Sequence, residues 1–413
     1  MALIVQKFGG TSVGSIERIR NVAARALETQ AAGNDVVVIV SAMSGETNRL
    51  LKLANDLAPM PDMREMDALA ATGEQVTAAL TSIAIQALGG KARSYLGHQL
   101  KVLTDSAFTK ARIKAIDPGR VMDTVSSGTI AVIAGFQGVD EDGNITTLGR
   151  GGSDTSAVAV AAAIGASACE IYTDVDGVYT TDPNICKTAR KIEKISYEEM
   201  LELASLGAKV LQIRSVEVAM KYGVPVHVRS SFSDTPGTWV VGDDDSFESV
   251  VVTGVAYDKG EARVMLMGVA DRPGVVAQIF GVLAAENVSV DMIIQNAPLT
   301  EGAAGAESRT DVTFTVAKTD LPRVKLAVEK LLGPISALGV RYDEDIVKVS
   351  IVGMGMRSHA GIAARMFQIL AAENINIQAI STSEIKVSCL VATKYTELAV
   401  RALHDGFGLG NKP

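Results

Sequence analysis

The sequence predicts an α/β protein: a mainly parallel sheet sandwiched by helices, followed by two small α+β modules. Three observations predict it. Short Val/Ile-rich runs alternate with helical patterns through the first half, as in strand–helix–strand crossovers. Gly242-Asp243-Asp244-Asp245-Ser246 is acidic and turn-forming, and reads as a link between domains. Beyond it, the segments starting at Asp271 and Ser358 repeat one another at a spacing of 87 residues. The expected domains are residues 1–245, 250–342 and 343–413.

The first strand is Ala2–Gln6, broken by Gly9-Gly10. Ile16, Ile19, Val22, Ala23, Ala26 and Leu27 then recur at helical spacing behind Ser15, a fitting N-cap. Val36–Val40 is continuously apolar, as a strand buried on both faces must be. Similar runs return at Thr129–Ala134, Glu170–Thr173 and Val224–Val228, with helical patterns between them that include Asp154–Ile164 and Tyr197–Ala204. A buried helical bundle is the competing reading, and glycine-bounded runs of about five β-branched residues disfavour it.

In the second half, Asp271-Arg272-Pro273-Gly274, Phe280, Leu283–Asn287 and Val288–Val290 match Ser358-His359-Ala360-Gly361, Phe367, Leu370–Asn374 and Ile375–Ile377. Each copy reads as strand, glycine turn, amphipathic helix, strand. Asn287 and Asn374 stand where a helix ends in a left-handed residue. The strand Val250–Ala256 is expected to pair into the second module, with the first inserted between. Pro298–Ser308, rich in Gly and Ala, reads as a loop insertion.

Composition narrows the function classes. With 413 residues, 47% of them hydrophobic, the chain can bury real cores and is not disordered. Three cysteines without a CxxC (Cys169, Cys186, Cys389) exclude a disulfide framework and a Cys-rich zinc site, and fit a reducing cytosol. No run approaches the roughly 18 apolar residues of a membrane helix. Ala2–Val5 is too short for the core of a signal peptide. A net charge of −8 argues against general nucleic-acid binding. Residues 1–249 carry −7 of it, so anion binding there must be local rather than a bulk positive field. His98, His227, His359 and His404 are scattered without ligand spacing, so no metal-ligating residues are assigned, and Ser–His–Asp and Cys–His catalysis lack support.

Two glycine-rich turns open helices after strands. In Lys7-Phe8-Gly9-Gly10-Thr11-Ser12, bare amides face a helix N-terminus and Lys7 adds a mobile positive charge. Gly149-Arg150-Gly151-Gly152-Ser153-Asp154 repeats the arrangement, with Arg150 able to clamp a carboxylate or phosphate. Either turn alone is also an ordinary tight turn. Neither is a Walker A, and Rossmann and protein-kinase signatures are missing. Thr173–Pro183 places Asp174, Asp176 and Asp182 after a strand, as surface turns or as oxygen donors for magnesium. Ser41–Thr47 and Glu74 follow the second strand, and open parallel sheets bind ligands at the carboxyl ends of their strands.

KFGGTS at Lys7–Ser12, SAMSGETN at Ser41–Asn48, ATGEQ at Ala71–Gln75, TTLGRGGSD at Thr146–Asp154, YTDVDGVYTTDP at Tyr172–Pro183 and GAKVL at Gly207–Leu211 together resemble the aspartate kinase family over essentially the whole chain. The tandem repeat resembles that family's paired ACT domains. The resemblance implies the amino acid kinase fold followed by two ferredoxin-like ACT domains. It implies a cytoplasmic enzyme that uses ATP and Mg²⁺ to phosphorylate the β-carboxylate of L-aspartate. That reaction is the first committed step toward lysine, threonine, methionine and, in bacteria, diaminopimelate. Lys7 and Asp154 are the implied catalytic residues. Ser41, Thr47, Glu74, Arg150, Gly151, Gly152 and Ser153 would bind aspartate, with Glu74 on its ammonium and Arg150 on its α-carboxylate. Lys7, Phe8, Gly9, Gly10, Thr173, Asp174, Tyr179, Asp182, Asn184, Lys209 and Val210 would contact ATP. The family often places arginine where Asn184 stands; Lys187 and Arg190 are the nearby cations.

The resemblance also implies feedback inhibition by lysine, threonine or both. The matching effector positions are Asp271, Gly274, Val275, Val276, Asp291, Gln295, Ile362, Ala363, Asn376, Ile377, Ser383 and Glu384. It implies self-association through the ACT modules, or an α2β2 assembly with a separately translated ACT subunit. Competing readings are another carboxylate kinase of the same superfamily, and a non-catalytic amino-acid sensor. A carboxylate nucleophile is already ionised at neutral pH, so no general base is needed, consistent with the lack of a candidate histidine.

Overall fold

The computed structural model describes residues 2–207, 210–242, 251–296, 308–357 and 359–411. Two compact units emerge: residues 1–180 with 190–247, and residues 181–189 with 248–413. Most of the expected interdomain link, and the Pro298–Ser308 insertion apart from Ser308, lie outside the described residues.

The first unit is built on an eight-stranded sheet. Its spatial order is Lys194–Ser196, Thr238–Val241, Val226–Ser230, Ala168–Thr173, Leu3–Phe8, Asp35–Val40, Ile130–Ala134 and Ala92–Tyr95. Every neighbouring pair is parallel except Val226–Ser230 with Thr238–Val241. The central strands are apolar on both faces because helices cover both. Val36 to Val40 and Ile130 to Ala134 are all buried. Helix Ile16–Ala31 starts where Ser15 accepts a hydrogen bond from the Arg18 amide, and it buries Ile19, Val22, Ala23 and Ala26. Helix Gly152–Ala163 is buried nearly all round, which explains its small, alanine-rich composition.

The periodicity reading recovered the central strands to within two residues at their ends. It missed the two edge strands Lys194–Ser196 and Ala92–Tyr95, the strand Thr238–Val241 beside the first of them, and a small sheet of Leu103–Thr104, Ile113–Ala115, Gln137–Val139 and Ile145–Thr147. Strands of two to four residues are too short to show a period of two.

The second unit holds two four-stranded antiparallel sheets. One runs Val290–Gln295, Arg309–Ala317, Glu261–Ala270, Gly339–Asp343. The other runs Ala379–Thr382, Lys386–Ala392, Ile346–Val352, Gly254–Asp258. The 87-residue repeat is thus a repeat of topology, except that the fourth strand of the second sheet comes from ahead of the first module. Gly254–Asp258 pairs with Ile346–Val352, so the first module is threaded between two strands of the second. The helices Val275–Ala285 and Ile362–Ala372 both start behind a glycine at φ +92° and are followed by an asparagine at φ +55°. Only a residue tolerant of the left-handed region fits at each of these ends. Lys348, on the second sheet, is buried with its ammonium against Glu261 and Asp291 of the first. Burial raises the pKa of Glu261. At Asp291 burial acts the same way, but the hydrogen bond and charge of Lys348 outweigh it and hold the carboxyl below its usual range.

Candidate active site

The loops at the carboxyl ends of three neighbouring parallel strands are tied together. The Gly9 amide donates to the Tyr172 carbonyl at 3.3 Å, and the Ser231 amide to the Thr173 carbonyl at 2.8 Å. The Ser12 and Ser231 hydroxyls meet at 2.5 Å. Gly10 must be glycine, because a Cβ there would sit 2.9 Å from the Ala42 carbonyl oxygen. The first glycine turn is therefore clamped against the loop that carries Ser41. Sequence reasoning missed Ser231, whose only signal is its position after the strand Val226–Ser230.

Beside these loops lies a cleft of about 610 Å³. Lys7, Gly10, Ser41, Thr47, Glu74, Arg150, Gly151, Gly152, Ser153 and Asp154 all line it. Four separate motifs thus converge on one cavity, as the end of a parallel sheet allows. The Lys7 ammonium pairs with Asp154 at 2.5 Å, both side chains nearly buried. Asp154 lies in the first turn of helix Gly152–Ala163, whose N-terminal amides and dipole favour an anion. Gly151 precedes that helix at φ +71°, and a Cβ there would strike the side chain of Gln212, which donates to the Arg150 carbonyl at 2.7 Å. Arg150 itself is exposed at the rim.

Glu74 is 3% exposed and sits in the first turn of helix Thr72–Ala87. Its Oε1 accepts from the Ala42 amide at 2.9 Å, while Oε2 has no hydrogen-bond partner among the described residues. Burial pushes its pKa up to about 7, against the lowering effect of the Ala42 hydrogen bond. A buried carboxylate oxygen left open in a cleft can accept from a cationic group.

Asp67, in helix Met63–Ala70, also lines the cleft and was not foreseen. It accepts from the Thr109 amide at 2.9 Å, the Thr147 amide at 2.7 Å and the Thr147 hydroxyl at 2.6 Å. It thereby fixes the strand Ile145–Thr147 that leads into Gly149–Gly152. Burial raises its pKa, with those three hydrogen bonds opposing. The chain gave no sign of it, since its partners lie 42 and 80 residues away.

The remaining nucleotide positions divide. Phe8 is a core residue, stacked on Tyr172 at 4.7 Å, so only its backbone is available to a ligand. Thr173 ends the clamped strand and Asp174 follows it directly, and Tyr179 donates to Asp176 at 2.9 Å in the next turn. Asp182 and Asn184 fall in the second compact unit, where Asp182 accepts a hydrogen bond from Tyr257 at 3.0 Å. Val210 is half-buried, and Lys209 lies outside the described residues.

The effector positions are spread over both modules of the second unit. Gly274 and Val275 begin the first module's helix, and the Val275 side chain is in the core, so only its backbone can meet a ligand. Val276 follows it, and Asp271 is exposed just before. Asp291 is held by Lys348, and Gln295 ends the same strand. Ile362 and Ala363 open the second module's helix and are packed against its core, while Asn376 and Ile377 precede strand Ala379–Thr382. Ser383 and Glu384 form the next turn, with Glu384 paired to Arg357 at 3.0 Å.

A cleft lined by two glycine turns at the carboxyl edge of a mainly parallel sheet, in a chain that goes on to twin α+β modules, defines a class. The amino acid kinase family model matches residues 2–230, and ACT domain models match residues 263–333 and 349–407. The chain belongs to the amino acid kinase family and, within it, to the aspartokinases. It is 55% identical to the aspartate kinase of Stutzerimonas stutzeri, over 99% of this chain and 98% of that one. E. coli aspartokinase III in complex with aspartate and ADP superposes with a TM-score of 0.80 at 26% identity, covering 98% of this chain and 99% of the other. The same E. coli enzyme in complex with lysine and aspartate gives 0.76 at 25% identity over the same shares. No helix among the described residues is long and apolar enough to cross a membrane.

Proposed function

We propose that this chain transfers the γ-phosphoryl group of ATP to the β-carboxylate of L-aspartate, forming 4-phospho-L-aspartate. The observation that carries this reading is the open, buried Oε2 of Glu74 in a cleft that also holds Arg150 and the Lys7–Asp154 pair. Aspartate has one positive and two negative groups. Its ammonium matches Glu74, its α-carboxylate matches Arg150 at the rim, and its β-carboxylate then faces Lys7. Glutamate has the same charges but is one methylene longer, and carbamate lacks the ammonium that Glu74 requires.

Lys7 and the Gly10 amide stabilise charge on the phosphoryl group in flight, whereas the Gly9 amide, expected to share that role, is spent on the Tyr172 carbonyl; no proton needs to be removed from the nucleophile. Asp154 holds the Lys7 ammonium in place. Thr173, Asp174 and Tyr179 lie on the nucleotide side. Mg²⁺ takes oxygen ligands and water, and the exposed Asp174 carboxylate fits as a donor for a Mg²⁺ that arrives with ATP. When bound, the ion neutralises phosphate charge.

The ACT pair is the seat of regulation by lysine, threonine or both, with the enzyme acting in the cytoplasm as a homo-oligomer. The edge strands Val290–Gln295 and Ala379–Thr382 support association. They expose Ile293 and Ile380, which occupy equivalent positions of the repeat, and unpaired apolar edges favour strand-to-strand contact. An ATP-dependent hydroxamate assay on L-aspartate, L-glutamate and carbamate tests the substrate, with lysine and threonine added singly and together. Turnover of aspartate alone, suppressed by an effector, is expected. Preference for glutamate or carbamate would overturn the substrate assignment.

A further inference from the structure

Cys186 and His404 are 218 residues apart in sequence and adjacent in the second unit. Cys186 Sγ lies 3.4 Å from His404 Nδ1 and 3.1 Å from Thr188 Oγ1. His404 Nδ1 is also 3.5 Å from Thr188 Oγ1 and 3.7 Å from Asp405 Oδ1. The thiol, imidazole and carboxylate atoms all lie within 4.8 Å of one another. One ring nitrogen takes part in a single hydrogen bond, which the 3.4 Å sulfur contact can supply, yet two oxygens also crowd it at 3.5 and 3.7 Å, longer than good hydrogen bonds. The spacing fits another geometry. Around a tetrahedral ion with metal–sulfur bonds of about 2.3 Å and metal–nitrogen or –oxygen bonds near 2.0–2.1 Å, the ligand atoms stand about 3.3–3.6 Å apart.

We propose that Cys186, His404 and Asp405 form a binding site for a divalent transition-metal ion of the Zn²⁺ class, with Thr188 Oγ1 or a water at the fourth corner. The donor set combines a soft thiolate, an imidazole and a carboxylate, which suits zinc and excludes magnesium. His404 and Asp405 sit in the last turn of helix Thr396–Gly406, where the helix dipole favours a cation. Cys186 and His404 are buried, whereas the Asp405 side chain is 69% exposed and gives the ion a way in from solvent. The bound ion would pin the segment Thr181–Ala189 to that helix. This site is separate from the aspartate cleft and does not depend on the reaction proposed there.

The test uses the reduced, chelator-stripped full-length chain titrated with Co²⁺. One equivalent should bind with tetrahedral visible bands and a thiolate-to-cobalt charge-transfer band, release about one thiol proton, and be displaced by Zn²⁺. Cys186→Ser should abolish the charge-transfer band and weaken Co²⁺ binding by at least about 100-fold, the upper end of what losing even an outer-shell partner costs. Asp405→Asn, at an exposed side chain that does not threaten folding, should weaken binding while keeping the band. Cys169 and Cys389 are buried elsewhere and remain as internal controls. Absence of saturable Co²⁺ binding to the folded wild-type chain overturns the proposal, as does an undiminished charge-transfer band in Cys186→Ser.

Discussion

Glu74 should make aspartate binding depend on pH in a window where free aspartate does not titrate. With its pKa at about 7 in the empty cleft, Glu74 is mostly protonated at pH 6 and mostly ionised at pH 8. Only the ionised form pairs with an ammonium. The ionised fraction falls about tenfold over those two pH units, so the aspartate Kd should rise about tenfold, or about 1.4 kcal/mol. The same shift has a stability cost of opposite sense. A carboxyl whose folded pKa lies above its unfolded value of 4.5 contributes stability that is complete below that value and is lost as pH rises through 7. The loss approaches about 3 kcal/mol at pH 8. Glu74→Gln, which keeps the acceptor for the Ala42 amide, should therefore lose aspartate affinity at pH 8 and be more stable there than wild type, by up to about 3 kcal/mol. Calorimetric titration with aspartate between pH 6 and 8, joined to urea melts of both proteins, measures the two effects. An aspartate Kd that stays flat over this range in the wild type would refute the reasoning, since no socket for an ammonium would then be titrating.

Other residues give sharp expectations. Lys7→Ala should reduce kcat by about 10²–10³-fold with a much smaller change in aspartate KM, because the ammonium acts on charge that develops in the transition state; near-normal turnover would remove Lys7 from the chemistry. Gly10→Ala should lower kcat and cost about 1–3 kcal/mol in a urea melt, because the new Cβ pushes on the Ala42 carbonyl. Lys348→Met strands Glu261 and Asp291 beside each other and should cost about 3–5 kcal/mol at pH 8, with part of the loss recovered at pH 5 where Glu261 can take up a proton; an equal loss at both pH values would exclude the electrostatic cause. Asp67→Asn should raise aspartate KM more than it lowers kcat, since Asp67 orders the strand behind the Arg150 turn without touching the reacting groups.

Much of this molecule was legible in its sequence. Buried parallel strands must be continuously apolar, so Val36–Val40 and Ile130–Ala134 announced themselves. The two glycine turns were readable because close approach of backbone, as at Gly10 against Ala42, admits no other residue. Asn287 and Asn374 were placed correctly for the same kind of reason, a local conformation that few side chains accept. The motifs of the cleft could be found one by one, because each is a contiguous turn whose chemistry is local.

What the sequence alone determined, then, was the order of elements, the duplication of the regulatory module and the residue types at the cleft. The tertiary structure decided which groups are desolvated and which meet. Glu74 in isolation is an ordinary acid in the first turn of a helix; only its burial and its open oxygen suit it to the ammonium proposed for it. Asp67, the Lys348 cluster and the Cys186–His404 pair join atoms 42 to 218 residues apart. Segment 181–189 packs with the second unit although it is embedded in the sequence of the first. Desolvation and long-range pairing depend on how elements stack, and no local pattern of residues encodes that.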